Sequence, residues 1–161
     1  MRHEKLTVAE LVTKGLTMVD ATGTDETMAV VDATITVGAA AAESCTVTVQ
    51  LLNSRGENIA YAANVYAYFS DVSTGLTFAA TGPDTVTIGA SGALLAVVAK
   101  KLYLLQTSAT GSVAFAVGEN LSLGTFYLGV IMPVTGKAVV SGGIQPTGVT
   151  TSTTAAPTTT T

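Results

Sequence analysis

The middle of the chain alternates hydrophobic and polar residues with a period of two. The clearest example is residues 45–52, where Val47, Val49 and Leu51 alternate with threonine and glutamine. Apolar side chains at every second residue are typical of a strand with one buried face. Such runs recur at intervals of about 8–12 residues and are separated by turns rich in Gly, Asn, Asp and Pro. This spacing predicts an all-β sandwich or barrel and argues against a parallel α/β sheet.

The pattern divides the chain into three parts. Residues 1–44 are predicted to form a short helix and an extended anchoring arm, with a first strand within 27–37. Residues 45–146 are predicted to form the sandwich, and 147–161 are a threonine-rich tail without charge. The runs that predict strands are 28–37, 45–52, 59–70, 76–81, 86–88, 93–106, 112–117, 126–132 and 137–144.

A short helix is predicted near the N-terminus. Thr7 is a candidate N-cap with Glu10 three residues later, and Gly15 is a candidate terminator. The narrow apolar stripe of this helix is formed by Leu11 and Val12 with Leu6 or Val8. Because a helix of about eight residues is unstable alone in water, we expect it to dock on another surface.

Charge is scarce and uneven along the sequence. Charged residues make up 11% of the chain, against about 25% in an average soluble domain. About half of them lie within residues 1–32, and the net charge is −4. A nucleic-acid partner is disfavoured, because such proteins neutralise phosphates with clustered Lys and Arg. A membrane span is not expected either, since apolar runs such as 93–99 are far shorter than about twenty residues.

The sequence offers little to build a catalytic, cofactor or metal site. His3 is the only histidine and lies next to the start of the chain, and the only cysteine, Cys45, is expected to be a buried structural thiol. The acidic segment 20–26 lacks the ligand spacing of a calcium loop. Lys100 and Lys101, placed within one long strand over 93–106, are expected to discourage unwanted strand pairing.

The aromatic cluster of residues 61–69 is the main candidate for a binding surface. Its aromatic side chains span both faces of one predicted strand, so we expect one set in the core and one set outside. Tyrosine is enriched at protein interfaces, and the helix stripe is a second candidate contact. The candidate interface residues are Leu6, Leu11, Val12, Tyr61, Tyr66 and Tyr68.

Several segments from residue 46 to residue 144 resemble bacterial immunoglobulin-like domains. Residues 46–60, TVTVQLLNSRGENIA, followed by VYAYFSD at 65–71, resemble the first two alternating strands of such domains and their Asn/Asp-x-x-Gly turn. TSATGSVAF at 107–115 resembles their turn-glycine-strand signature. TFYLGVIMP at 125–133 with VVSGGI at 139–144 resembles the closing hairpin of a variant common in tailed-bacteriophage virion proteins.

The resemblance implies an immunoglobulin-like β-sandwich that binds and does not catalyse. It points to a structural phage virion protein, either a capsid decoration or cement subunit or a head-fibre base. The implied partners are the major capsid protein and copies of this chain, as a dimer or trimer, without nucleic acid or membrane. The implied location is the capsid surface, after synthesis in the bacterial cytoplasm. The alternatives are a tail-associated protein and an adhesion module that binds host-surface glycans.

Overall fold

The computed structural model describes residues 29–41, 43–119 and 124–146. Within these ranges the chain forms nine strands and no helix. The strands are β1 (Asp32–Ala41), β2 (Ser44–Leu52), β3 (Asn64–Ser70), β4 (Thr85–Ile88), β5 (Ala93–Val98), β6 (Leu102–Gln106), β7 (Ser112–Gly118), β8 (Tyr127–Ile131) and β9 (Ala138–Val140). The predicted N-terminal helix, the arm before β1 and the threonine-rich tail lie outside the described residues.

The strands are arranged in two antiparallel sheets. The first sheet has the order β1-β2-β7-β4, and the second has the order β5-β6-β3-β8-β9. Contacts between β1 and β9 and between β4 and β5 place the edge strands of the two sheets next to each other. The sheets therefore stack face to face, and the prediction of an all-β sandwich is confirmed.

The core fills the space between the sheets with side chains from alternate strand positions. In β2 the buried side chains are Cys45, Val47, Val49 and Leu51, as the alternation predicts. Phe69 of β3 lies at the centre, with its ring edge-on to Tyr103 at 5.8 Å and to Phe126 at 6.4 Å between centroids. The other large side chains that are fully buried are Phe115, Leu105, Leu128, Met132, Ile144, Val113, Val117 and Val130.

The first strand extends the sandwich towards the N-terminus. β1 pairs with β2 from Asp32 opposite Leu52 to Ala41 opposite Ser44, with a bulge between Val37 and Ala40. The predicted boundary at residue 45 thus falls inside a β-hairpin. The strand expected at 28–37 starts four residues later and runs on to Ala41.

Two strand predictions are wrong. Residues 93–106 form the hairpin β5–β6, and Lys100 makes its turn with a left-handed φ of 64°. Lys100 and Lys101 therefore lie beyond the strand and not within it, and the Lys100 Nζ pairs with Asp84 at 2.9 Å. Residues 76–81 form no strand but belong to a loop, which is fixed to β3 where the Ala79 N–H donates to the Phe69 carbonyl at 2.7 Å.

Replacing the central aromatic side chain should destabilise the fold severely. Phe69→Ala removes a fully buried ring with two aromatic neighbours, so we expect the free energy of unfolding to fall by about 3–5 kcal/mol. Phe78→Ala is the matched control, because that ring is 58% exposed and should cost about 1 kcal/mol or less. Urea unfolding followed by circular dichroism measures both, and equal losses would contradict the described core.

Candidate functional site

The face of the second sheet that points away from the core is lined by apolar side chains. The strand pairings align Leu95 of β5, Leu104 of β6, Tyr66 of β3 and Ile131 of β8 in one row across four strands. Leu95 is 62% exposed and Tyr66 is 49% exposed. Exposed apolar side chains that lie in contact, and not singly, mark interaction surfaces.

A loop covers the other end of this face and adds exposed apolar side chains of its own. The Tyr68 hydroxyl, on the same face as Tyr66, donates a hydrogen bond of 2.6 Å to the Gly75 carbonyl. Phe78 packs against the Tyr68 ring, edge to face, at 5.2 Å between centroids. Phe78 and Leu76 themselves stay 58% and 84% exposed. We call Leu95, Leu104, Tyr66, Ile131, Leu76 and Phe78 together the apolar outer face.

Glycine and burial fix the position of this loop. Gly75 has a φ of +67°, and a Cβ there would lie 2.6 Å from the Val140 side chain of β9. At Gly129 of β8 a Cβ would clash with the Tyr68 ring, so the absence of a side chain makes room for that ring. Burial raises the pKa of Tyr68 above its ordinary value, which keeps the hydroxyl protonated as a hydrogen-bond donor.

The outer face of the first sheet is chemically different. Most of its side chains are short and many are hydroxylated: it presents Thr34, Thr36, Thr46, Thr48, Thr87, Ala114 and Ala116, with Asp32, Gln50 and Leu52 at one end. None of the five strands of the second sheet contains Asp, Glu, Lys or Arg. The sandwich therefore has one polar but nearly uncharged face and one apolar face without charge.

Depressions on the surface include one on each sheet. The one on the apolar outer face has a volume of about 230 Å³ and is lined by Asn64, Ala93, Leu94, Leu95, Leu104 and Gln106. The other, of about 470 Å³, lies at the free side of β1 and is lined by Val37, Gly38, Ala40, Cys45, Gly143, Gln145 and Pro146. Pro146 is the last described residue.

The structure places the predicted interface residues in different environments. Tyr66 lies on the apolar outer face, whereas Tyr68 points the same way but is only 8% exposed, because the loop covers it. Tyr61 is half-buried and packs against the core. Leu6, Leu11 and Val12 lie outside the described residues, so their role stays a prediction.

Five members of the apolar outer face are not among the residues that the sequence predicts for an interface: Leu95, Leu104, Ile131, Leu76 and Phe78. Leu95 and Leu104 belong to 93–106, for which the pattern predicts a single strand. In a hairpin, Leu95 and Leu104 come to lie opposite each other on one face. The available signal was a continuous apolar stretch, which does not tell which residues face outward.

The chemistry of the remaining side chains is sparse in the described part of the chain. Cys45 is a buried free thiol, as expected. No group of three His, Cys, Asp or Glu side chains in residues 29–41, 43–119 and 124–146 is arranged to hold a metal ion. Nor does any helix of the described residues have the length and hydropathy needed to cross a membrane. No protein-family model, curated protein or solved structure matches the chain.

Removing the Tyr68 hydroxyl should loosen the loop that carries Leu76 and Phe78. Tyr68→Phe leaves the Gly75 carbonyl without its donor, so we expect the free energy of unfolding to fall by about 1–2 kcal/mol. Tyr66→Phe is the matched control, because its ring is half-exposed, and its effect should stay within about 0.5 kcal/mol. Thermal unfolding compares the two, and an equal effect of both variants would contradict the Tyr68–Gly75 hydrogen bond.

Proposed function

We propose that this chain is a structural phage virion protein, a capsid decoration or cement subunit or the base of a head fibre, that acts by binding and not by catalysis. The observation that carries the proposal is the contrast between the two outer faces of the sandwich. An apolar face without charge suits burial against a neighbouring subunit, and a threonine-rich face suits contact with water. The partner is the major capsid protein lattice, and copies of the chain occupy equivalent sites on it.

The strand order supports an immunoglobulin-like sandwich. The order β1-β2-β7-β4 corresponds to A-B-E-D of that fold, and β3-β8-β9 corresponds to C-F-G. The hairpin β5–β6 departs from the usual order. It pairs with β3, as the extra strands of variable-type domains pair with strand C, but it follows β4 in the chain.

The lack of charge lowers the cost of docking. Burying the apolar outer face removes no ion from water, so the gain of about 25 cal/mol per Å² of apolar area is not offset by desolvation of charges. Association still costs translational and rotational freedom, which limits the affinity of one contact. On a lattice with many identical sites, linked copies raise the total strength of attachment. The subunit would thus tie capsid subunits together mechanically.

Two substitutions on the apolar outer face test the docking surface. Tyr66→Ser with Phe78→Ser should weaken binding to capsid shells stripped of this chain by about tenfold or more, because each half-exposed side chain contributes about 1 kcal/mol when buried. Thr36→Ala with Thr46→Ala is the matched control on the opposite face and should bind like the wild type. Co-sedimentation gives both affinities, and a control variant that binds as weakly would move the docking surface elsewhere.

Deletion of residues 1–26 tests the proposed N-terminal anchor. The variant should lose binding to the capsid shells, because the expected helix and arm lie in this segment, which precedes β1. Its circular dichroism spectrum should keep the β signature of the intact chain. Unchanged binding by the shortened chain would refute the anchoring role.

Host-surface recognition is the second candidate function. The depression of about 230 Å³ places the side chains of Asn64 and Gln106 on the face that carries Tyr66. Amide groups beside an aromatic ring are able to bind a sugar by hydrogen bonds and stacking. Specific hits on a glycan array that disappear with Gln106→Ala would favour host-surface recognition over docking on the head or the tail of the virion.

A further inference from the structure

The free edge of β5 has few of the features that normally protect an edge strand, and its one irregularity is a bulge between Ala96 and Val98, at the end next to the turn. β5 is the outermost strand of the second sheet, and its sequence ALLAVV contains no charged residue and no proline. Leu95, Val97 and Val98 are each about half-exposed or more, at 62%, 50% and 49%. Edge strands are usually guarded by charge, proline or a cover, because their unpaired backbone groups attract other strands. Among the described residues, only β6 pairs with β5.

The pairing of the inner strands defines which backbone groups of β5 point outward. The Phe69 N–H donates to the carbonyl of Lys101, just before β6, so the Phe69 N–H points towards β6. Because this direction alternates along a strand, Leu104 directs its N–H and C=O towards β5, where it pairs with Leu95. The backbone groups of Leu94 and Ala96 therefore point to the free edge.

We propose that β5 pairs with β5 of a second copy of the chain, joining the two second sheets into one continuous antiparallel sheet. In antiparallel pairing, opposite residues lie on the same face, so a two-fold axis perpendicular to the sheet places a residue opposite itself. With the axis at Leu95, Leu94 of each copy pairs with Ala96 of the other through two hydrogen bonds at each site. The apolar row of Ile131, Tyr66, Leu104 and Leu95 then continues across the axis into the same row of the second copy.

A second copy fits this edge better than a charged partner. β5 is uncharged, and the nearest ion pair, Lys100 with Asp84, lies at the end of the hairpin. Lys100 is five residues from Leu95, or about 16 Å along the strand, so the two lysines of a pair are separated by far more than the Debye length of about 8 Å. Two chains of net charge −4 can therefore meet at β5 without placing like charges opposite each other.

The size of this edge predicts a weak contact. A six-residue strand is about 20 Å long and the two sheets stand about 10 Å apart, so each copy buries a few hundred Å², below the roughly 800 Å² of a standard interface. The pair should dissociate in dilute solution and form when copies are held close together. The inference does not depend on the proposed virion role, since it follows from the backbone of β5 alone.

Cysteine crosslinking of the full chain tests the axis position. Leu95→Cys places two thiols in a non-hydrogen-bonded pair with Cα atoms about 4.5 Å apart, within the range of a disulfide. Tyr66→Cys is the matched control on the same row, because Tyr66 lies two strands further in and is about 24 Å from its mate across the axis. On mild oxidation Leu95→Cys should give about ten times more dimer than Tyr66→Cys, which sets the level of random collision. The wild type, whose single cysteine is buried, should give none.

Proline at the free edge gives an independent readout. Ala96→Pro removes an N–H that points away from β6, a position where an edge strand tolerates proline, so the monomer should fold. It deletes two of the four hydrogen bonds of the pair, and the association constant should fall by about tenfold or more. Ala96→Ser keeps the N–H and should associate like the wild type. Sedimentation equilibrium of the full chain up to about 1 mM measures all three. Equal crosslinking at residues 66 and 95, a wild type that stays monomeric, or association unchanged by Ala96→Pro would each overturn the proposal.

Discussion

The whole structure depends on keeping the two-residue period of both sheets in register. A slip of one residue in β2 would send Val47, Val49 and Leu51 to the solvent and the threonines into the core. In the second sheet the aromatic cluster around Phe69 opposes a slip of β3, because its edge-on contacts with Tyr103 and Phe126 join three segments of that sheet at fixed positions. The same register determines which side chains each of the two outer faces presents.

The sequence predicts part of this arrangement, and the reasons differ from strand to strand. In β2 aliphatic and hydroxyl side chains separate cleanly, so both the strand and its buried face are visible. In β5 and β6 both faces are apolar, and the turn between them carries Lys100 in a conformation normally taken by Gly or Asn. Neither the period nor the turn residues mark that hairpin. Of the apolar outer face, the sequence therefore indicates only Tyr66.

Long-range contacts account for the remaining differences. The loop over Tyr68 contains Leu76 and Phe78, and hydrophobicity alone suggests a strand there. A hydrogen bond to the Gly75 carbonyl and the space above Gly129 decide its course, and Gly129 is more than fifty residues from that loop. The local sequence also does not indicate that β7 lies between β2 and β4 in the sheet. In the assembled sandwich, the low charge of the chain leaves the outer face of the second sheet free for contact, because its strands contain no charged residue.

The pairing of β2 with β7 also determines when the molecule is able to fold. Cys45 lies opposite Val117, and the partner strand β7 is synthesised only after four further strands, β3 to β6, have been. Closing so long a stretch of chain costs conformational entropy before the core contacts contribute favourable free energy. Topologies of this kind therefore fold slowly. While a ribosome completes the later strands, β1 is the only described strand that pairs with β2. Correct folding of this chain therefore depends on timing, because the hairpin β1–β2 is synthesised well before β7, the strand that pairs with β2.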